Sequence, residues 1–591
     1  MLTRNRRLYL RWVRCGLVAL ILLCGHARAI ALEVNDEQLR DLASSQEWRA
    51  LLHFDSGRPR FETDSLFYVA GATAVDPYQE LRYLLQNASP ELVCRFPARY
   101  EFIQAQTGQS IAFDPCDGLD SFLTNVEGDS VSLFFASASL GSPMSYFGHT
   151  FLRFNKPHDP HFSYTISFAG EIPEDIRFHQ LAIRGLSGSL SGAFVLAPHY
   201  VMIEKYNEIE QRVLVEYKLA FTPDEMRRML LHAYELYLTD PDYSFLFRNC
   251  TSGLLVLFEV ARPELRLQER FMGIVLPSQL IRVLEKDGIA VEKSVRQPLA
   301  YTLEGKYQSL ERHEQAYFRR VRQSDSKVLD LENSGLDEQS QERIRELLVA
   351  YYRLRFKRFN RAPADYQDVK SMSYQPSDLE PNQSIEAETR PFRPTYLELG
   401  VGYSDSDLYQ VLRFRPLLLD RYDRRFARFT QGALEFGKVS VRHRNNGFTV
   451  DSIDIILVES LNRLNPFFRL PSWRFYAGFN RLLDDQVITF QSEAGMGVAF
   501  GGRRWFGHVM PTVSYFAAPA TVGAVGIAAL SLRHGPMYVG VDSRYSVIFS
   551  ADKPPHEVSA FSVIRLGESV AFRVDYETLS TNLQFNVRYS F

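Results

Sequence analysis

From Thr395 onward, apolar and polar side chains alternate residue by residue, the pattern of strands with one apolar and one polar face. The last segment is the cleanest: Leu583, Phe585, Val587, Tyr589 and Phe591 alternate with Gln584, Asn586, Arg588 and Ser590. The one before it sets Val570, Phe572, Val574 and Tyr576 against Ser569, Ala571, Arg573, Asp575 and Glu577. Twelve such segments follow one another: 395–406, 408–420, 429–446, 448–461, 472–482, 487–502, 505–518, 521–535, 537–550, 556–567, 568–578 and 581–591. An even number of strands, each roughly ten residues long with short turns between, is what a transmembrane β-barrel needs. Closure leaves no unpaired sheet edge, the only way β structure satisfies its backbone in lipid. The polar faces carry full charges, Arg573, Asp575, Glu577 and Arg588 among them, which predicts a filled lumen and an anchor rather than a general pore.

Upstream of Thr395 the pattern is mixed. Residues 32–125 read as mainly helical, with 36–51 and 77–86 as candidate helices, and residues 128–200 turn to strands at 131–135, 150–154 and 162–168. Thr222 is an N-cap, Pro223 occupies the first turn and Glu225 completes a capping box, so a helix is predicted to run to Leu238 before the Asp240-Pro241 step. The apolar run from Cys250 to about Ala261 predicts the next helix. Residues 305–370 are charge-rich helix, and 371–393, rich in Ser, Pro, Gln and Glu, read as a linker. The expected domains are therefore 1–31, 32–125, 126–300, 301–393 and 394–591.

The first of these is a leader. Arg4, Arg6, Arg7, Arg11 and Arg14 precede the apolar stretch 17–23, and 27–29 and 29–31 both offer small-x-small cleavage sites, as in a secretory signal peptide. Its removal takes Cys15 and Cys24 with it; Leu23 is too large for the usual lipobox position before Cys24. The even strand count puts both barrel ends on one side, so the soluble part is expected in the periplasm beneath the outer membrane. The net charge of −3 and the absence of a basic stripe with interleaved aromatics exclude a nucleic-acid partner. There is no His-Glu-x-x-His, Cys-x-x-Cys, phosphate loop or dinucleotide fingerprint, and no metal or other cofactor is expected.

Three cysteines remain, in a compartment that oxidises thiols. Cys94 and Cys116, in a polar stretch, are the natural disulfide pair, which leaves Cys250. It opens an apolar helix after Asn249, where unpaired N–H groups and a partial positive charge favour a thiolate. Backbone N–H groups at that helix start, around Thr251, are candidates for an oxyanion hole, and Asn249 is first of all a helix cap. A thiolate needs a base, and His149, starting an apolar strand after Gly148, is the candidate. Arg153 shares its strand face and is a candidate phosphate or carboxylate contact, with a structural role the alternative. His161, Ser163, Thr165 and Ser167 share a face of the next strand, and any of them is a candidate third residue that orients the base. The basic loop 421–428 is another candidate phosphate contact, with solvation the favoured account.

Ser145-x-x-Gly148-His149-Thr150-x-Leu152-Arg153, followed by Asn249-Cys250-Thr251, resembles the Lnb N-terminal periplasmic domain family over about 125–300. More broadly, a His on a strand followed by Asn-Cys on a helix is similar to the circularly permuted branch of the papain-like (NlpC-type) superfamily, which includes lecithin:retinol acyltransferase. The resemblance implies an α+β, permuted papain-like domain with a Cys–His site. For the Lnb branch it implies acyl transfer through a thioester, with phospholipid and bacterial lipoproteins as substrates. His161 stands twelve residues after His149, similar to the histidine spacing of the retinol acyltransferase group. Peptidoglycan amidase or endopeptidase activity fits the same nucleophile, and a non-catalytic, barrel-anchored adaptor is the remaining alternative. The aromatic Phe591 closing an alternating strand resembles the C-terminal strand of outer-membrane proteins, which the barrel assembly machinery reads.

Overall fold

The computed structural model describes residues 34–591 except 56–57, 60–66, 71–74, 110–114, 140–144, 146, 158–161, 174, 272, 323–330, 332, 360–392, 405–406, 423–429, 445–446, 468–469, 482–487, 503, 518–519, 549–555 and 579–580. The expected leader, His161, nearly all of the linker and most of the basic loop thus lie outside the described residues. The chain divides into two compact units: residues to 131 with 154–196 and 221–274, and residues 132–153 with 197–220 and 275–591.

The strands of the middle region are β1 (Ser130–Ala136), β2 (His149–Asn155), β3 (Tyr164–Gly170), β4 (Leu190–Pro198), β5 (Leu214–Leu219), β6 (Asp242–Tyr243) and β7 (Ala290–Arg296). They form a seven-stranded sheet in the order β6-β4-β3-β2-β1-β5-β7. The sequence pattern finds β1, β2 and β3 within two residues. It does not single out the shorter or more polar strands β5, β6 and β7.

The first unit opens with helices. The helix predicted over 36–51 is two: α1 (Asp36–Ser44) and α2 (Gln46–Leu51). Ser45 adopts extended backbone, and its hydroxyl accepts from Trp48 N at 3.2 Å, starting the second helix afresh. Helices α3 (Pro77–Gln86), α4 (Pro90–Arg95), α5 (Pro97–Thr107) and α6 (Asp117–Val126) follow, the first three each with Pro in the first turn. The Cys94–Cys116 disulfide, with a Cα separation of 5.5 Å, joins α4 to the start of α6. After α7 (Phe178–Ser187) come α8 (Pro223–Tyr237), with the predicted Thr222/Glu225 capping box, and α9 (Cys250–Ala261).

Helix α9 is apolar all round. Leu254, Leu255, Val256, Leu257 and Phe258 are all buried, as expected of a core helix, each contributing about 1.5–3 kcal/mol by leaving water. It lies against β3 through Gly253, where an added Cβ would stand 2.5 Å from the Phe168 side chain. Arg99 of α5 is fully buried between two carboxylates, 3.0 Å from Glu80 and 3.4 Å from Glu235. Glu235 also accepts the Ala98 and Arg99 N–H groups, and His232 links it to His53 through a 2.7 Å contact between the two Nε2 atoms.

In the second unit, α10 (Pro277–Lys286), α11 (Leu299–Ser309), α12 (Arg312–Val321) and α13 (Glu338–Phe359) precede the barrel. Tyr307, Phe318 and Tyr351 surround Phe467, a buried residue from a barrel turn, at ring separations of 5.7, 6.3 and 6.4 Å. Arg463 of the same turn pairs with Glu304 at 2.6 Å. These helices are therefore docked on the barrel before the chain reaches the linker.

The barrel strands are β8 (Tyr396–Ser404), β9 (Asp407–Arg415), β10 (Thr430–Arg444), β11 (Gly447–Asn462), β12 (Ser472–Arg481), β13 (Ile488–Gly501), β14 (Trp505–Ala517), β15 (Ala520–His534), β16 (Met537–Ile548), β17 (His556–Leu566), β18 (Val570–Glu577) and β19 (Asn582–Ser590). After Pro416, which has no N–H for the ladder, β9 continues as Leu417–Leu419 against β10. Each strand pairs antiparallel with the next, and β8 pairs with β19 from Tyr396↔Ser590 to Tyr403↔Leu583, closing the barrel at twelve strands. All twelve segments expected from the alternation are present. Leu397, Leu399, Val401 and Tyr403 of β8 face outward and are exposed, whereas Glu398 is buried in the lumen with Arg413 and Arg588. Both ends of the barrel chain lie at one rim, the periplasmic one.

Candidate active site

Cys250 is the free cysteine of the described residues, and it is buried. Asn249 Oδ1 accepts from Thr251 N at 2.9 Å and Ser252 N at 3.2 Å, while its Nδ2 donates to Phe245 O at 3.2 Å. One side chain thus starts the helix and pins the loop before it. That loop is further closed by Phe245 N donating to Gly185 O at 2.8 Å and Ser244 N donating to Arg248 O at 2.9 Å. The Cys250 Sγ stands 3.8 Å from Thr251 Oγ1. Because the cap occupies the Thr251 and Ser252 amides, the Cys250 N–H is the helix-start amide that the cap leaves unengaged.

His149 belongs to the other compact unit, so its surroundings are described separately. Gly148 before it has φ +86°, and a Cβ there would lie 2.3 Å from the Phe135 ring and 2.7 Å from Ala136 O. Only glycine fits, which explains the Gly-His step: the chain turns tightly against β1 and delivers His149 to the first position of β2. The imidazole stacks on Tyr206 at 5.1 Å, and its Nε2 is buried without a hydrogen-bond partner. Burial, then the nearby charges of Lys205 and Arg212, hold its pKa well below 6.5. The ring is therefore neutral at neutral pH and has a lone pair to offer a proton donor. Arg212 donates to Ser137 O and Ala136 O at 2.6 and 2.7 Å, holding the end of β1.

Arg153, on the same face of β2, is ion-paired with Glu216 at 2.5 Å, lies 3.1 Å from His199 Nε2 and sits over the Phe134 ring. Burial lowers its pKa and Glu216 opposes that shift. Ser163 Oγ accepts from Lys156 N at 3.0 Å, holding the turn into β3, and Thr165 and Ser167 are buried on that strand. Of the predicted residues, Asn249, Cys250 and Thr251 meet at one helix start, Cys94 and Cys116 are bonded, and His149 and Arg153 share a strand.

Sequence reasoning missed Tyr206 and Arg212. Tyr206 lies in a π-helical turn (Ile203–Ile209) just after a four-residue helix, and nothing in the hydrophobic pattern marks it. In the structure the segment is marked by Gln211, whose φ of 56° is uncommon for a residue with a Cβ.

A closed twelve-stranded barrel with an apolar outer wall, preceded by a mixed α/β domain and a small helical region, defines an outer-membrane protein whose soluble part faces the periplasm. More particularly, residues 119–287, the stretch that carries His149 and Cys250, match the Lnb N-terminal periplasmic domain. Residues 393–582 and 40–106 match two domains of unknown function, DUF7840 and DUF7843. Among solved structures the chain is similar to the KdgM porin, at 10% identity and a TM-score of 0.22, covering 33% of this chain and 99% of that one. It is also similar to the COG4313 outer membrane channel from Pseudomonas putida F1, at 10% identity and a TM-score of 0.23, covering 37% and 100%. The barrel assignment rests on the β8–β19 closure and not on these likenesses. No curated protein sequence matches the chain.

Proposed function

We propose that the protein is an outer-membrane-anchored thiol acyltransferase, with Cys250 as nucleophile and His149 as general base and acid. The supporting observation is the free thiol at the Asn249-capped start of an apolar helix, inside the match to the Lnb domain. The neutral His149 imidazole takes the thiol proton as sulfur attacks an ester carbonyl. The oxyanion is met by helix-start N–H, that of Cys250 itself. The C–O bond breaks, the imidazolium returns its proton to the departing alkoxide, and a thioester remains. An amine then attacks the thioester, forms the amide and restores the thiol. Phospholipid or lipoprotein is the acyl donor and a lipoprotein amine the acceptor, both concentrated at the membrane that anchors the enzyme. In this reading the barrel assembly machinery inserts the anchor, recognising the strand that ends at Phe591.

A thiol-directed acyl probe on the full-length protein tests the assignment. Labelling is expected at Cys250, lost in Cys250→Ala and strongly slowed in His149→Ala; equal labelling of wild type and His149→Ala removes His149 from its role. Mass spectrometry of lipoprotein N-termini and of muropeptides from a deletion strain tests the substrate. Altered muropeptides beside unchanged lipoproteins would replace acyl transfer by peptidoglycan hydrolysis.

A further inference from the structure

Twelve strands enclose a wider interior than the eight that wall side chains alone just fill, since the diameter grows with strand number. Something must occupy the rest, or the barrel conducts. At the periplasmic rim, after Leu419, the chain turns into the lumen.

Asp420 accepts from Arg588 Nη1 of β19 at 2.5 Å and Arg565 Nη2 of β17 at 3.4 Å. Arg421 binds Glu459 of β11 through Nε at 2.9 Å and Nη2 at 2.7 Å, and its Nη1 lies 3.7 Å from Asp542 of β16. Tyr422 is buried against Phe561 of β17 at 4.7 Å and Tyr538 of β16 at 5.8 Å. The strands that receive these three residues stand on opposite walls. From β11 to β16 is five strand steps the shorter way, about 24 Å along the wall at the usual strand spacing. A single guanidinium touches both strands, so it lies across the lumen and not along the wall.

We propose that Asp420, Arg421 and Tyr422 form a built-in plug that seals the barrel to small solutes, latched to opposite walls by ion pairs and an aromatic contact. The latch is charged and the wall groups that hold it are charged too. Removing the plug therefore leaves a hydrated passage lined by Glu459, Asp542 and Arg588, not a collapsed apolar core. Buried pairs of this kind lose much when one partner goes, since the other is left unpaired. This inference is independent of the thiol chemistry proposed above.

The experiment is single-channel recording of the full-length protein in planar diphytanoyl-phosphatidylcholine bilayers under potassium chloride. Wild type is compared with Arg421→Gln and with the triple variant Asp420→Ala, Arg421→Ala, Tyr422→Ala, each first checked for heat-modifiable gel migration. Wild type is expected to stay silent and the triple variant to show steady steps of one size. Arg421→Gln is expected to raise the open time roughly a hundredfold or more through brief openings. Steady conduction by wild type, or silence from a heat-modifiable triple variant, overturns the plug. If the triple variant does not fold, Arg421→Gln decides: an open time equal to wild type is the overturning result.

Discussion

Replacing Asn249 by Ala removes one side chain that accepts from two helix-start amides and donates to Phe245 O and, at 3.5 Å, to Leu246 O. Loss of an Asn cap costs about 0.5–2 kcal/mol, and the additional loop bonds place this site at the upper end, near 2 kcal/mol. Cys250 reports on it directly. Its thiol is buried, only 5% of the residue being exposed, so a bulky disulfide reagent reaches it when the helix start opens. If opening governs the rate, 2 kcal/mol corresponds to a roughly thirtyfold faster reaction. The assay is the thiol–disulfide reaction rate of full-length protein in detergent, divided by the rate for the same variant in urea, which removes differences in intrinsic reactivity. Asn249→Asp is the control. It keeps an oxygen that accepts from both helix-start amides, adds a negative charge that suits a helix N-terminus, and loses the Nδ2 bonds to Phe245 O and Leu246 O. It should react within about threefold of wild type. A wild-type rate for Asn249→Ala would refute the cap's role in protecting the thiol. An Asp variant as fast as the Ala variant would move the cost to the Nδ2 bonds.

Other outcomes follow from the buried charges. Arg99→Met strands Glu80 and Glu235 in the core and is expected to cost about 3–5 kcal/mol in urea unfolding of the periplasmic part; a loss under about 1 kcal/mol would refute the compensation argument. Burial, then His232 and Arg99, hold the His53 pKa well below 6.5, so the unfolded state binds the extra proton first as pH falls. Stability present above pH 6.5 is therefore lost below it, at about 1.4 kcal/mol per pH unit from this group, until its folded pKa is reached. His53→Phe should flatten the slope between pH 6.5 and 5.5, and an unchanged slope would assign it elsewhere. Arg153→Lys keeps the charge but not the fork that spans Glu216 and His199, so it should lower unfolding stability by about 1–2 kcal/mol while leaving the unfolded-normalised reactivity of Cys250 near wild type.

The barrel was legible because its physics is local. A strand between lipid and a polar lumen must alternate, and that period survives in each segment on its own, whatever its partners. The same holds for helix starts: Thr222, Pro223 and Glu225 spell a capping box within four residues, and Asn249 caps α9 through atoms two and three residues away. The break at Ser45 is local too, yet it was missed, because the apolar positions on either side keep helical spacing and only the Ser45 hydroxyl's bond to Trp48 N ends one helix and begins the next.

What the sequence hid is long-range electrostatics. Arg99 meets Glu235, 136 positions on along the chain, and His53 meets His232, 179 positions on, so no window of sequence contains either pair. The lumen shows the same limit from the other side. Alternation correctly placed Arg573, Asp575 and Arg588 on the polar face, and solvation was the favoured account of the charged loop that starts at Arg421. A loop arginine is usually solvated because water satisfies it at no ordering cost. Here the lumen of a twelve-stranded barrel supplies Glu459 and Asp542 as acceptors for Arg421 on opposite walls and Arg588 as a donor for Asp420, while Tyr422 packs on Phe561 and Tyr538. The charge pattern of the loop is explained by the pattern of the walls, and neither can be read without the closure that brings them together.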